Sequence, residues 1–214
     1  MDLKRLLPLS GVVFVALVVL AVVGLGGSTP GSDASAAELA SFYDDESVRQ
    51  GIAGFVLAAS VPFLVIFGVG LATALSPREA GRSTMWELVL IAGTVLTGGM
   101  VLVVAFLHFA LVSSVDQGVS GSALQALNAL DNNTWIAFHP AFGVMMLGAA
   151  GVMIPRARGR RWLGRIAAVL GIALFIPFAD FVALLLTGVW IIVASVMLFR
   201  EGARAGYAAT PRTA

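Results

Sequence analysis

From Ile166 to Phe199 the chain runs for 34 residues with Asp180 as its only ionisable member. Wound as one helix, this stretch would be about 51 Å long at 1.5 Å per residue, far beyond a hydrocarbon core of roughly 30 Å. A lipid phase also admits only structures whose backbone donors and acceptors are satisfied internally, which selects helices or closed barrels. The segment is therefore expected to cross a bilayer twice, as a helical hairpin. Its turn is placed at IPFADF, residues 176–181, where Pro177 and Asp180 disfavour continued helix. The two legs are expected at about 163–178 and 181–199.

Four earlier apolar runs, at about 7–27, 51–75, 86–113 and 134–154, bring the expected count to six spans. The composition agrees, since only 12% of residues are charged, against about 25% in soluble domains. The expected fold is an all-α polytopic transmembrane bundle. Residues 1–205 are read as a single transmembrane domain and 206–214 as a flexible cytoplasmic tail. The first run is longer than the apolar core of a signal peptide, so a retained helix is expected; cleavage near Ala34 to Ala37 is the alternative. Pro62 predicts a bend in the second span. Gly93, Thr97 and Gly98 in the third span, and Gly143, Gly148 and Gly151 in the fourth, offer small surfaces for close helix packing or for a homo-oligomer. Trp86, Trp135 and Trp162 fall near span ends, where indole rings anchor at the interface.

Charge placement orients the spans. The loop PRARGRRWLGR, residues 155–165, carries Arg156, Arg158, Arg160, Arg161 and Arg165, five of the thirteen bases. With six spans, the N-terminus, loop 76–86, this loop and the tail share one side. That side then holds twelve of the thirteen bases, and Arg49 alone lies opposite. The positive-inside rule assigns both termini to the cytoplasm, in the inner membrane of a bacterium. A net charge of +1 supports no nucleic-acid partner, and membrane lipids are the expected surroundings. With no cysteine, the chain has no disulfide, thiolate nucleophile or zinc-thiolate site.

The two longer external loops are acidic. In residues 28–50, SAAE at 35–38 has the pattern of a capping box, and Leu39, Phe42 and Tyr43 follow at helical spacing. In 114–133, Leu124, Leu127 and Leu130 recur similarly. Short amphipathic helices are expected in both loops, capping one mouth of the bundle. A lid over a substrate or partner is the alternative for the first.

Candidate chemistry is sparse. His108 and His139 fall toward the outer ends of adjacent spans, at depths differing by about 4–5 Å, and Asp180 lies in the outer turn of the last hairpin. An ionisable group at that depth is costly unless paired, neutral or hydrated, so the trio is a candidate polar site. Two histidines and a carboxylate suit a divalent metal, and two histidines suit axial haem ligation; no cofactor is required by the spacing. Taken singly, each of the three also reads as a hydrogen-bonded packing or capping residue. Glu87, at the inner end of the third span, is expected to pair with Arg78, Arg82 or an arginine of loop 155–165. No GxSxG, HExxH or glycine-rich phosphate loop is present.

The layout resembles a broad family of small uncharacterised bacterial integral membrane proteins. The resemblance is carried by GSDASAAELASFYDDE after the first helix, by RWLG at 161–164, and by TGVWIIVAS in the last hairpin. It implies a six-helix bundle of unknown function and supplies no catalytic residues. A non-enzymatic structural or complex-associated component is therefore the leading expectation. A transporter or channel for a small or lipophilic solute is second, and a metal- or haem-binding protein using His108 and His139 is third.

Overall fold

The computed structural model describes residues 6–75, 84–156 and 161–208, with side chains described as far as Arg200. Lys4, Arg5, Arg78, Arg82, Arg158, Arg160 and Arg212 lie outside the described residues. Eight helical segments account for nearly all of the rest: α1 (Leu7–Gly26), α2 (Ala36–Asp45), α3 (Ser47–Leu75), α4 (Met85–Asp116), α5 (Gly121–Asn133), α6 (Trp135–Arg156), α7 (Arg161–Ala173) and α8 (Asp180–Ala208). Among the described residues, five stretches are long and apolar enough to cross a membrane: α1, α3, α4, the run Gly121–Arg156 that joins α5 to α6, and Asp180–Arg200 of α8. The protein is thus a polytopic, all-α membrane protein with several apolar spans. The 13-residue α7 is roughly 20 Å long and alone falls short of the hydrocarbon thickness.

Local chemistry accounts for the ends. Pro8 sits in the first, 3-10 turn of α1, where a missing N–H costs nothing. The last part of α1, Leu20–Gly26, is wound as a π-helix and stops at Gly27, whose φ of +61° suits glycine. Ser35 caps α2, its hydroxyl accepting from the Glu38 N–H at 3.2 Å. Helix α3 begins at Ser47, before the apolar run at 51, and continues through Pro62. After α7 the chain tightens into 3-10 turns, with the Phe175 and Ile176 N–H groups bonded to Ile172 and Ala173. It then reverses at Pro177 and Phe178, the latter at φ +71°.

The helices form two compact units, one of Met1–Val15, Pro62–Thr97 and His139–Ala214, the other of Ala16–Val61 and Gly98–Phe138. In the first unit, α4 and α6 approach to backbone contact. A Cβ on Gly93 would lie 2.5 Å from the Met145 nitrogen, and one on Gly148 would collide with the Leu90 backbone. Small residues replace the hydrophobic effect as the basis of such contacts, because lipid is as apolar as leucine. Trp190 is buried in the same unit, edge-on to Phe67 with its indole N–H on the Leu163 carbonyl at 2.9 Å. Trp86, Trp135 and Trp162 are instead 43%, 49% and 45% exposed, as residues at an interface would be.

In the second unit α2 packs on α5, and a buried cluster joins Leu39 and Tyr43 of α2, Leu124 of α5, and Leu111 and Val112 of α4. One face of α5 is a row of amides. Gln125, Asn128 and Asn132 donate to the carbonyls of Ala34, Gly31 and Pro30 at 3.2, 2.8 and 3.4 Å. The irregular segment before α2 thereby has its backbone acceptors satisfied by side chains.

Valine at Gly148 is expected to lower stability by at least about 1–3 kcal/mol through overpacking. Valine at Gly70, where a Cβ meets nothing within 4 Å, should change it by less than about 0.5 kcal/mol. Thermal unfolding in detergent compares the two, and equal loss would show that the α4–α6 approach does not limit stability.

Candidate functional site

Extension of α3 to Ser47 brings a polar residue into the second unit's interior. Gln50 is fully buried and spans two partners: its amide N–H donates to the Gly26 carbonyl at 2.9 Å, and its Oε1 lies 2.6 Å from His108 Nε2. Gly26 is the final residue of the π-helical turn. Because a carbonyl can only accept, the Gln50 amide is oriented with its nitrogen toward Gly26 and its oxygen toward the imidazole. His108 Nε2 must then carry the proton.

The other ring nitrogen, Nδ1, faces Asp131 Oδ2 at 3.7 Å, with both side chains 13% exposed. This is beyond hydrogen-bond length but within ion-pair range. A bare Nδ1 directs its lone pair at a carboxylate, whereas a protonated one makes an ion pair.

Tyr43 completes the cluster. Its ring is edge-on to His108 with centroids 6.2 Å apart, and its hydroxyl is buried without a hydrogen-bond partner among the described residues. Burial, with the Asp131 charge adding to it, holds the Tyr43 phenol well above its ordinary pKa. The hydroxyl stays neutral throughout the physiological range.

The first unit holds two further polar pairs. His139 Nδ1 lies 2.8 Å from Asp180 Oδ2, both side chains nearly buried, and Asp180 Oδ1 accepts from the Phe181 N–H at 2.9 Å. Asp180, the first residue of α8, thus satisfies one free N–H of that helix while orienting the imidazole on α6. Glu87 is buried and pairs with Arg156; its other oxygen accepts from the Thr84 N–H at 3.0 Å. Arg156 is accordingly the loop arginine that meets the expectation for Glu87. Arg161 and Arg165 are exposed.

Of the expected trio, His139 and Asp180 are brought together, while His108 is engaged by Gln50 and Asp131. Among the described residues, no group of three histidine, aspartate or glutamate side chains is arranged to hold a metal ion. Gln50 and the roles of Tyr43 and Asp131 escaped the sequence reading. Gln50 lies just outside the apolar run, where its amide looked like part of a loop, and only the helical register Gln50, Gly54, Leu57 marks it as inward-facing. No protein-family model, curated protein or solved structure matches the chain.

Removing an unpartnered buried hydroxyl relieves a desolvation penalty of about 1–3 kcal/mol, so Tyr43→Phe should leave stability unchanged or raise it. The pH dependence has a definite sign. Above about pH 10 the unfolded chain loses this proton while the folded state keeps it, so the folded state binds more protons and stability falls as pH rises. Denaturant titration should show this alkaline loss in the native chain and a smaller one in Tyr43→Phe. Identical alkaline slopes would show that the phenol is not held neutral.

Proposed function

We propose that this chain is a non-enzymatic integral membrane protein, a structural or complex-associated component that crosses a bacterial cytoplasmic membrane six times with both termini inside. The observation that supports it best is how the intramembrane polar groups are used. Glu87, His108, His139 and Asp180 are each engaged by partners on another helical segment. Such pairings join helices where water is absent, a packing role that needs no substrate.

Six crossings are favoured over five by the last hairpin. The short α7 extends through its 3-10 turns to about Ile176, a leg of roughly 25 Å. Asp180–Arg200 of α8 is 21 residues long, or roughly 31 Å, so the two legs come close to matching. The positive-inside count then places the arginine-rich loops and both termini on one side. Helices α2 and α5 would be amphipathic elements of the external loops, with the exposed acids of α2, Glu38, Asp44 and Asp45, available to a protein partner.

Since the chain has no cysteine, single cysteines report topology directly. Cysteines at Asp33 and Gly118 should react with an impermeant maleimide in intact cells, and one at Thr213 only after permeabilisation; surface labelling at Thr213 would exclude six crossings. Alanine at His108, His139 or Asp180 should alter thermal stability in purified protein. A saturable metal or substrate signal abolished by these changes would overturn the non-enzymatic reading.

A further inference from the structure

Within the second unit, α3 and α4 leave an open groove of about 380 Å³. Ser47 and Asp116 line it, as do Gly51, Ile52, Phe55 and Phe109. The helices run antiparallel here: Gly54 lies against Ala105 and Phe109, and Gln50 bonds His108. This register puts Ser47 and Asp116 at one end and the phenylalanines roughly 10–12 Å further along. Phe55 and Phe109 are 73% and 55% exposed, so that end opens toward the lipid phase.

The polar end has a distinct electrostatic character. Asp116 is the last residue of α4, where the helix dipole is already negative and an acid is unfavourable. Asp44, Asp45 and Glu46 immediately precede α3. The nearest base in sequence, Arg49, is 2.7 Å from Glu46. A cation at Asp116 would relieve an arrangement that opposes the local rule, while an anion would be repelled.

We infer that this groove binds a single-chain amphiphile with an ammonium head, the head at Asp116 and Ser47 and the alkyl chain along Gly51, Ile52, Phe55 and Phe109. The volume lies at the small end of ligand sites, room for one chain rather than two. An apolar trough ending in a carboxylate selects the positive head, and Arg49, the nearest base in sequence, is paired with Glu46. The inference rests on α3 and α4 crossing the bilayer and is independent of the number of crossings.

The test is equilibrium binding of radiolabelled dodecylammonium at pH 7 to the full chain in phosphatidylcholine nanodiscs, corrected with empty nanodiscs. Saturable binding near one per chain is expected. Asp116→Asn should weaken it at least tenfold. Gly51→Leu should abolish it by filling the groove; its Cβ meets nothing within 4 Å, so an unchanged melting temperature verifies that the fold persists. Dodecanol and dodecanoate in excess should not compete. Absence of saturable binding, equal competition by dodecanol, or native-like binding by both variants would each overturn the assignment, and none of these bears on the cysteine-labelling topology.

Discussion

A hydrocarbon phase offers no hydrogen bonds, and the structure is arranged around that fact. A polar group taken into an apolar helix is costly unless the protein supplies a partner, and among the described residues only the Ser10 and Ser195 hydroxyls are buried in the spans without one. The cheapest partner is the helix: Thr94, Thr97 and Thr187 are fully buried, and each hydroxyl donates to the carbonyl four residues earlier at 2.7–2.8 Å. Side chains with more capacity reach further. Gln50 bridges α1 and α4, His139 and Asp180 join α6 to α8, and Glu87 with Arg156 joins α4 to α6. Breaking one partner of such a pair strands the other, which makes these contacts specific as well as cohesive.

The same constraint explains what could be read from the residues alone. Apolar runs report where lipid-facing helix must be, so the long spans were legible from hydropathy. Helix ends were less so, because α3 and α8 carry helical winding past the apolar boundary into polar sequence, to Ser47 and to Ala208. A hydrophobic run marks the solvent, whereas the helix ends where its caps and turns dictate. The short α7 shows the converse. Its apolar sequence continues to Phe178, yet regular helix stops at Ala173 because the chain must tighten and reverse around Pro177.

Partnerships between distant residues were the least legible part of the candidate site. His108, His139 and Asp180 stood out as ionisable residues in apolar sequence, but which of them meet depends on helix rotation, which periodicity cannot supply when helices are apolar on all sides. Asp180 found His139 across 41 positions and His108 found Gln50 across 58. The amide row of α5 had a readable signal, since Gln125, Asn128 and Asn132 recur at helical spacing. Its partners did not, being backbone carbonyls with no residue type to betray them.

Local rules and the fold agree through most of the chain, so the disagreements are informative. Phe178 takes a left-handed backbone at the tip of the last hairpin, where a reversal of direction accounts for it. Three others fall in the second unit. A π-helical turn delivers the Gly26 carbonyl to Gln50, a tyrosine hydroxyl is buried beside His108 without a partner among the described residues, and an aspartate ends α4 against the helix dipole. Stability alone would favour phenylalanine at 43 and a base at 116.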